Sequence, residues 1–377
     1  AVCKRNASQP FFKKTYRRRT AGCRKYAADR ETEEKKKMEK PVLKNMTIDE
    51  MKDFMAGIGE KPFRGRQVFE WIYKGAGSFE DMRNLPKTLR EKLAQTTVFE
   101  NIRIVEVQES KTDGTRKYLF EMPDGEKIES VFMKYRYGNS ICISSQAGCA
   151  MGCRFCASAI GGLRRNLESW EMAAQLLAVE KDTGERIGHI VIMGTGEPFH
   201  NYENAARFLK LVNSPEGLNI SMRNITVSTC GLTDGIKKFA KDFPQATLAI
   251  SLHAPSDEIR SEMMPVNNRY PVKEVIAAAG EYAQETGRRV TFEYALVKGV
   301  NDSMEHADVL AGLLKGILCH VNLIPLNEVK ETGLAGADRK HAESFRTRLE
   351  QRGIPATVRR ELGSDIDAAC GQLRNKK

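Results

Sequence analysis

The chain has 377 residues, of which 41% are hydrophobic and 29% are charged, as is ordinary for a globular protein with one large and one small domain. No apolar run approaches the roughly 18 residues of a membrane helix, which excludes a membrane-spanning protein. The basic start is not followed by an apolar core, so no secretory signal is predicted and we expect a cytoplasmic protein.

The net charge of +11 is concentrated in the first 40 residues. These residues carry fourteen Lys or Arg and five Asp or Glu, a balance of +9, which leaves +2 for the remaining 337 residues. The folded body is therefore not uniformly basic, and an RNA surface on it must be local. In a reducing compartment the nine cysteines suit metal binding or catalysis better than structural disulfides.

Residues 1–40 are predicted to be a disordered basic tail, because they have few aliphatic side chains and no hydrophobic period. The chain does not begin with Met, whereas Met38 and Met46 precede the first predicted helix. We interpret the tail as a mis-assigned start or an expression remnant. An RNA-binding arm and an acid-poor targeting peptide are the alternatives.

Residues 41–97 are predicted to form a small helical domain that binds RNA. Thr47 caps the first helix, which runs through Met55, and Glu50 three residues after the cap completes a capping box. Two further helices are predicted over residues 64–73 and 86–93.

Residues 98–139 are predicted to form a short antiparallel strand segment. Apolar and polar side chains alternate there, and the pairs Asp113-Gly114 and Asp124-Gly125 are typical of tight turns between strands.

From residue 140 to 377 the pattern changes to alternating strands and helices of the α/β class, which predicts parallel strands with right-handed crossovers. The predicted strands cover residues 141–144, 189–193, 225–228, 247–252, 290–296, 321–324 and 356–360. The predicted helices cover residues 170–181, 202–212, 233–243, 272–285, 304–315 and 339–351. Six or seven strands are fewer than the eight of a closed barrel, so we predict a partial, open (β/α)6-type barrel. Its active site should lie at the carboxyl ends of the strands.

Three cysteines follow the first parallel strand with the spacing C-x3-C-x2-C, in the run Cys149-Ala-Met-Gly-Cys153-Arg-Phe-Cys156. A 4Fe–4S cluster normally takes four thiolates, so three leave one iron open. An open iron can chelate S-adenosylmethionine (SAM) and pass it an electron, which yields a 5′-deoxyadenosyl radical. A zinc knuckle would need a fourth Cys or His nearby, and none follows soon after Cys156. An aromatic residue before the last cysteine, here Phe155, matches the radical SAM signature.

Residues at the ends of the later strands are predicted to bind SAM. In the turn Gly194-Thr195-Gly196-Glu197-Pro198, Gly196 lets the backbone approach a ligand closely, and Glu197 can accept a hydrogen bond from the SAM amino group. The corresponding positions after other strands are held by Ser228, by Ser251-Leu252-His253 and by Asn327. Such residues often only cap helices. In an open barrel they face the cavity, so we predict contact with the ligand.

The C-terminal run Asp365-Ile-Asp-Ala-Ala-Cys370-Gly-Gln-Leu373 is distinctive. Together with Cys142-Ile-Ser-Ser-Gln-Ala-Gly-Cys149, the cysteine triplet and Gly196-Glu197-Pro198, it resembles the radical SAM RNA adenine methyltransferases of the RlmN/Cfr family. The resemblance covers roughly residues 41–375. Pro198 and the run Ile324-Pro325-Leu326-Asn327 are similar to the branch that methylates carbon 2 of adenine, whereas the carbon-8 branch tends to show Gly-Glu-Ala and Ile-Arg-Tyr-Asn. Thr195 departs from the family pattern, in which Met is common.

The resemblance implies a catalytic route through Cys370, Cys142 and Glu129. Carbon 2 of adenine is electron-poor and does not attack a sulfonium methyl, whereas a thiolate does. Cys370 is therefore implied to take a methyl group from one SAM, while a second SAM in the same turnover yields the radical that removes a hydrogen atom from that methyl. The carbon then joins carbon 2, Glu129 accepts the proton of carbon 2, and Cys142 attacks the sulfur of Cys370 to release the product.

The same resemblance makes 23S rRNA, and the adenosine beside the anticodon in some tRNAs, the expected partners. The target base must leave its stack to reach a buried site. Basic side chains that could contact phosphate are Arg64, Arg66, Lys74, Lys134 and Arg136. We also expect an electron donor such as flavodoxin with its reductase, no membrane partner, and a monomeric enzyme.

Three alternatives remain open at this point. The first is a carbon-8 adenosine methyltransferase of the Cfr type. The second is a glycyl-radical activase or another radical SAM enzyme with a non-RNA substrate, which would not need Cys370 or Cys142. The third is a non-catalytic RNA-binding module that holds zinc.

Overall fold

The structure, a computed structural model, describes residues 40–327 and 333–373. The predicted tail, apart from residue 40, lies outside the described residues. The described chain forms two compact units. The smaller unit comprises residues 40–43 and Ser78–Glu100, and the larger unit comprises Lys44–Gly77 and residues 101–373.

Three helices precede the strands, namely α1 (Ile48–Gly57), α2 (Phe63–Tyr73) and α3 (Lys87–Thr96). The predicted capping box is confirmed, because Thr47 Oγ1 accepts from the backbone N–H of Glu50 and Glu50 Oε2 accepts from that of Thr47. Helices α1 and α2 belong to the larger unit and α3 to the smaller one, whereas the sequence predicted a single helical domain. The functional boundaries of the domains stay a prediction.

The strands within the described residues are β1 (Arg103–Glu109), β2 (Arg116–Glu121), β3 (Lys127–Tyr135), β4 (Gly138–Cys142), β5 (Gln146–Gly148), β6 (Leu163–Asn166), β7 (His189–Ile192), β8 (Ile225–Thr229), β9 (Thr247–Ser251), β10 (Val290–Leu296), β11 (Cys319–Pro325) and β12 (Ala356–Val358). Ten of them form one sheet in the order β1-β2-β3-β4-β7-β8-β9-β10-β11-β12. Pairing is antiparallel from β1 to β4 and parallel from β4 to β12.

The remaining helices are α4 (Ser169–Thr183), α5 (Tyr202–Asn213), α6 (Thr233–Asp242), α7 (Asp257–Met263), α8 (Val272–Thr286), α9 (Met304–Leu314) and α10 (Arg339–Gln351). The predicted open, partial barrel is confirmed, because the sheet runs from β1 at one edge to β12 at the other. The short elements β5, β6 and α7 were not predicted. In the part of the chain that the structure describes, no helix has both the length and the apolar character needed to cross a bilayer.

Alternation along the parallel strands decides which side chains reach the interior of the barrel. In β8, Ile225 and Val227 are buried at 0% and 1% exposure, whereas the alternating residues Thr226 and Ser228 are partly exposed. Because successive side chains point to opposite faces of a strand, Ser228 faces away from this apolar layer. The apolar layer lies where the crossover helices pack, which leaves the polar positions for a central cavity.

Gln175 on α4 links the sheet to the segment that leads into the cysteine triplet. Its side chain is fully buried. Its Oε1 accepts from Ser130 Oγ at 2.6 Å and from the backbone N–H of Ser144 at 2.9 Å, while its Nε2 donates to the Ser144 carbonyl at 3.0 Å. The side-chain amide of Gln175 therefore joins α4 and β3 to Ser144, which lies two residues after the end of β4.

We expect Gln175→Leu to lower the free energy of unfolding by about 2–4 kcal/mol, because buried polar groups of Ser130 and Ser144 lose their partner. Urea unfolding followed by circular dichroism measures the change. Lys181→Leu on the exposed part of the same helix is the control and should stay within about 0.5 kcal/mol of the parent. Equal stability of the two variants would show that the amide is not a structural link.

Candidate active site

The three spaced cysteines lie on residues 149–162, here called the cluster loop. Strands β5 and β6 pair at its base, and the backbone N–H of Cys149 donates to the Gly162 carbonyl at 3.2 Å. Gly148 has a φ of +74°, and a Cβ atom on it would lie 2.0 Å from the Gly162 oxygen. Only glycine fits where the chain closes this loop, directly before the first cysteine.

Cys149, Cys153 and Cys156 all line one cavity of about 150 Å³. Burial raises the pKa of the Cys149 thiol to about 11, and burial also raises the pKa values of Cys153 and Cys156. Charge on the neighbouring thiols Cys149 and Cys156 adds to the rise in the pKa of Cys153. Metal binding requires thiolates, so loading of iron on this loop must release protons.

Within the described residues no three or more His, Cys, Asp or Glu side chains are grouped to hold a single metal ion. In a cubane cluster each thiolate binds a different iron. Three convergent thiols beside an open cavity are a donor set that fits a 4Fe–4S cluster with one free iron. Cys149, Cys153 and Cys156 are the residues that would hold it.

The ends of the parallel strands form the rest of this cavity. Of the residues predicted to bind SAM, those that line it are Gly196, Glu197, Ser228, Ser251, His253 and Asn327. Leu252 does not reach it. Its side chain is fully buried, because it follows Ser251 on the opposite face of the chain, and its carbonyl accepts from Arg260 Nε at 3.0 Å.

Glu197 is a buried carboxylate that ties two strand ends together. Its Oε1 accepts from the backbone N–H of Phe199 at 3.0 Å and its Oε2 from that of Cys230 at 2.7 Å. Burial raises the pKa of Glu197, while these hydrogen bonds favour the charged form. A carboxylate has about four acceptor positions, so contact with a SAM amino group stays compatible with these bonds and stays a prediction.

His253 lies at the cavity wall in a left-handed conformation with a φ of +57°. Its Nδ1 accepts from the backbone N–H of Ala295 at 2.9 Å, so the ring proton is on Nε2. Burial lowers the pKa of His253 to about 3, with a further contribution from Arg260. The ring is therefore a neutral donor at ordinary pH, and it packs edge-to-face on Phe155 with centroids 4.9 Å apart.

Two arginines near the cavity were not predicted. Arg260 is fully buried, and its guanidinium donates to the carbonyls of Cys230 at 2.6 Å and Tyr270 at 3.0 Å and to Asn267 Oδ1 at 2.9 Å. Arg359 lines the cavity directly after β12 and lies 3.9 Å from Glu293 Oε2. The sequence predicted this strand over residues 356–360, so Arg359 counted as part of the strand and not as a residue at its end. Nothing in the local sequence marks Arg260 as buried.

Cys142 and Cys370 line a second, smaller cavity of about 40 Å³. Burial raises the pKa of Cys142 to about 12, charge on Cys370 raises it further, and Arg359 lowers it. Cys370 and Arg359 also line the larger cavity. Cys370 thus lies where the two cavities meet, between the thiols of the cluster loop and Cys142.

The segment that carries Cys370, residues 363–373, is here called the C-terminal loop, and it is anchored at both ends. At its start, the backbone N–H of Gly363 donates to Asp113 Oδ2 at 2.9 Å in the β1–β2 connection. At its end, the Gly371 carbonyl accepts from the backbone N–H of Ala157 at 2.8 Å, and the Leu373 carbonyl accepts from Ser158 Oγ at 2.7 Å. The cluster loop itself therefore holds the end of the C-terminal loop.

Glu129 lies on the same face of β3 as Val131, which lines the smaller cavity and pairs with Cys142. The side chain of Glu129 is nearly buried, and its Oε1 lies 3.6 Å from Lys117 Nζ. Lys117 also donates to the Asp367 carbonyl at 3.2 Å. This lysine, which no local sequence pattern singles out, joins the predicted proton acceptor to the C-terminal loop.

The basic residues predicted to contact phosphate are engaged in surface contacts. Arg64 donates to Gln67 Oε1 and lies over the Phe63 ring, Arg66 and Lys74 pair with Glu70, and Lys134 pairs with Glu185. Arg136 is exposed. Their contact with RNA stays a prediction.

Comparisons with known proteins identify both parts of the chain. Residues 42–99 match the family described as ribosomal RNA large subunit methyltransferase N-terminal domain, and residues 143–310 match the radical SAM superfamily. The chain is 52% identical, over 91% of its length and 99% of the relative's, to the "Probable dual-specificity RNA methyltransferase RlmN" of Clostridioides difficile. The protein of the same name from Geobacillus kaustophilus is 50% identical over 89% of this chain and 93% of its own length.

A solved structure agrees with this match. The crystal structure of a radical SAM methyltransferase from Sphaerobacter thermophilus superposes with a TM-score of 0.85 at 46% identity. The superposition covers 89% of this chain and 99% of that one.

We expect Cys153→Ala to lose its iron, because the two remaining thiolates are too few to hold a 4Fe–4S cluster. Anaerobically purified protein should absorb broadly near ~400 nm and bleach with dithionite, and the variant should show neither this band nor cleavage of SAM. Cys319→Ala, a buried free thiol at the start of β11, is the matched control and should keep both. A normal iron content in Cys153→Ala would remove this cysteine from the cluster.

Proposed function

Since the chain belongs to the RlmN family of radical SAM RNA methyltransferases, we propose that it methylates carbon 2 of an adenosine in 23S rRNA and of the adenosine beside the anticodon in some tRNAs. A 4Fe–4S cluster and SAM belong to the chemistry of this family. We further propose that each turnover uses two SAM molecules, that flavodoxin with its reductase supplies electrons, and that the enzyme is a monomer.

The observation that carries the proposal is the position of Cys370. It lines the cavity of the three cluster thiols and also the cavity of Cys142. A radical SAM enzyme with a simple substrate would need only the first cavity. A thiol between the two cavities suits a residue that receives a methyl group on one side and delivers it on the other.

When bound at the cluster loop, the cluster and SAM supply a radical that can remove a hydrogen atom from a nearby carbon. Glu197, Ser228, Ser251, His253 and Asn327 would hold and orient the SAM ligand within the cavity. The neutral His253 ring would donate from Nε2. The apolar residues around the cluster loop, among them Phe155 and Met264, would exclude water from the reacting carbon.

Cys370 acts first as the nucleophile that takes a methyl group from SAM. The same carbon, after loss of one hydrogen atom, forms the bond to carbon 2 of adenine, and the unpaired electron left on the adduct would return to the cluster when carbon 2 gives up its proton. The RNA is then held by a carbon–sulfur bond to the protein. Glu129 would accept the proton of carbon 2, and its link through Lys117 to Asp367 of the C-terminal loop supports this role.

Cys142 ends the reaction by attacking the sulfur of Cys370. The carbon–sulfur bond breaks, the released carbon takes up a proton and becomes the methyl group, and the methylated adenosine leaves. The two sulfurs form a disulfide that needs two electrons for its reduction. Cys142 must lose its proton before it attacks, and burial disfavours that loss. Arg359, which lies between both thiols and Glu293, is the cation that offsets this cost.

The modified carbon is the most direct test of the proposal. RNA incubated with enzyme and SAM should yield a nucleoside that comigrates with synthetic 2-methyladenosine and not with 8-methyladenosine. A substrate deuterated at carbon 2 should lose its label, and one deuterated at carbon 8 should keep it. Loss of the label from carbon 8 would assign the enzyme to the other branch. Assays with a 23S rRNA fragment and with tRNA report the two substrates separately.

The two remote cysteines should fail at different steps. Cys370→Ala should keep its cluster and make no product, because no thiol takes the methyl group. Cys142→Ala should attack the RNA and not release it, which gives a protein–RNA band that shifts on RNase treatment. The band should be absent from the double variant. If Cys142 only packs β4 against its neighbours, its alanine variant would lose stability and release methylated RNA at the normal rate.

A further inference from the structure

An exposed tyrosine stands at the tip of the hairpin between β3 and β4. Tyr135 pairs with Gly138, so Arg136 and Tyr137 form the two-residue connection. The Tyr137 ring stacks on the Tyr135 ring with centroids 4.9 Å apart and planes 9° apart, and it meets the His189 ring at 84°. Despite these contacts, Tyr137 is 66% exposed. A large aromatic side chain held rigidly in this way keeps most of its surface in solvent.

The partner of Tyr137 reaches the catalytic thiols. Tyr135 lines the smaller cavity together with Cys142 and Cys370. The two stacked rings therefore form a continuous aromatic path from the surface to the thiols. This continuity separates Tyr137 from the other exposed apolar residues, such as Val309 and Leu318, neither of which lines this cavity.

The aromatic path begins near the amino end of β4, whereas the cluster loop follows the carboxyl end of that strand. Strand β3 is antiparallel to β4, with Val131 opposite Cys142 and Tyr135 opposite Gly138. The hairpin tip thus lies at the amino end of β4, whereas the cluster loop follows its carboxyl end. A base that comes in past Tyr137 would reach Cys370 without displacing a ligand held by the cluster loop.

The charges around the path suit a polyanion. Arg136 beside Tyr137 and Arg360 at the rim of the smaller cavity are exposed, and neither makes an ion pair with a described residue. Arg359 lies at the junction of the two cavities, and Glu361 is the one carboxylate among the described residues that line the smaller cavity. Because Arg359 is paired with Glu293, the balance rests on the two exposed arginines and Glu361, which leave a positive charge where a phosphate backbone would pass.

We propose that Tyr137, stacked on Tyr135, is the platform on which the enzyme stacks the unpaired base next to its target adenosine. The inference rests on the proposed function, because it presupposes that an adenine of RNA reaches Cys370. The target base occupies the inner end of the path, and its neighbour covers the open face of Tyr137. Aromatic side chains hold unstacked bases in this manner because every base has a π-face.

The test uses the loaded enzyme and a stem–loop RNA that contains the adenosine identified by nucleoside mapping. Loss of one stacking partner changes binding by about 5- to 150-fold. We therefore expect Tyr137→Ala to raise the Kd for this RNA within that range, measured by fluorescence anisotropy. Tyr137→Phe and Tyr137→Trp keep a ring and should bind like the parent. Leu318→Ala is the control for removal of an exposed apolar side chain.

A direct contact can be trapped by light. With 5-iodouridine placed next to the target adenosine, irradiation should crosslink the RNA to the peptide that contains Tyr137, as identified by mass spectrometry. Iron content, dithionite bleaching and thermal midpoint of Tyr137→Ala should match the parent, which shows that the variant is folded and loaded.

Two results would overturn the inference. One is an unchanged Kd for Tyr137→Ala with no crosslink at its peptide in the parent. The other is an equal loss in Tyr137→Phe, which would assign the effect to the hydroxyl. If the parent binds no RNA or modifies no adenosine, the proposed function itself fails, so the two failures are distinguishable.

Discussion

The contact between the cluster loop and the C-terminal loop is the constraint on which the rest of the site depends. Ala157 and Ser158, directly after the last cluster cysteine, donate to the carbonyls of Gly371 and Leu373, one and three residues after Cys370. The other end of the C-terminal loop is held by Asp113. With both ends of the loop fixed, Cys370 lines both cavities. The proposed reaction needs both, because Cys370 would receive the methyl group in one cavity and deliver it in the other.

Buried polar side chains do the positioning around that contact. Gln175, Glu197 and Arg260 each join backbone groups from different strands or loops, and each is buried. Buried polar groups cost free energy unless they are hydrogen-bonded, so such links hold only one arrangement of the strand ends. The barrel provides the apolar layer, and these hydrogen bonds fix the relative positions of the residues that line the cavity.

Much of the fold and part of the site could be predicted from the sequence. Long strands and helices with clear apolar periods, such as β10 and α10, fall where they were expected, as does the Thr47 capping box. The three-residue β5 and the seven-residue α7 were missed because short elements carry too little pattern. Leu252 was predicted to contact the ligand together with its neighbours Ser251 and His253. Its side chain does not line the cavity, and its contact with the ligand stays a prediction. Lys117, Arg260 and Tyr137 are defined by long-range neighbours, which local sequence does not report.

The contact between the cluster loop and the C-terminal loop also sets the order in which the site is assembled during synthesis, because its residues lie far apart in the chain. The hydrogen bond from Ser158 to Leu373 joins residues 215 positions apart. At the usual pace of translation, about 5–20 residues per second, roughly 10 to 40 seconds pass between synthesis of the two residues. During that interval the cluster cysteines already exist and the loop that covers them does not. The three thiols can therefore be reached from solvent until the C-terminal loop closes against them.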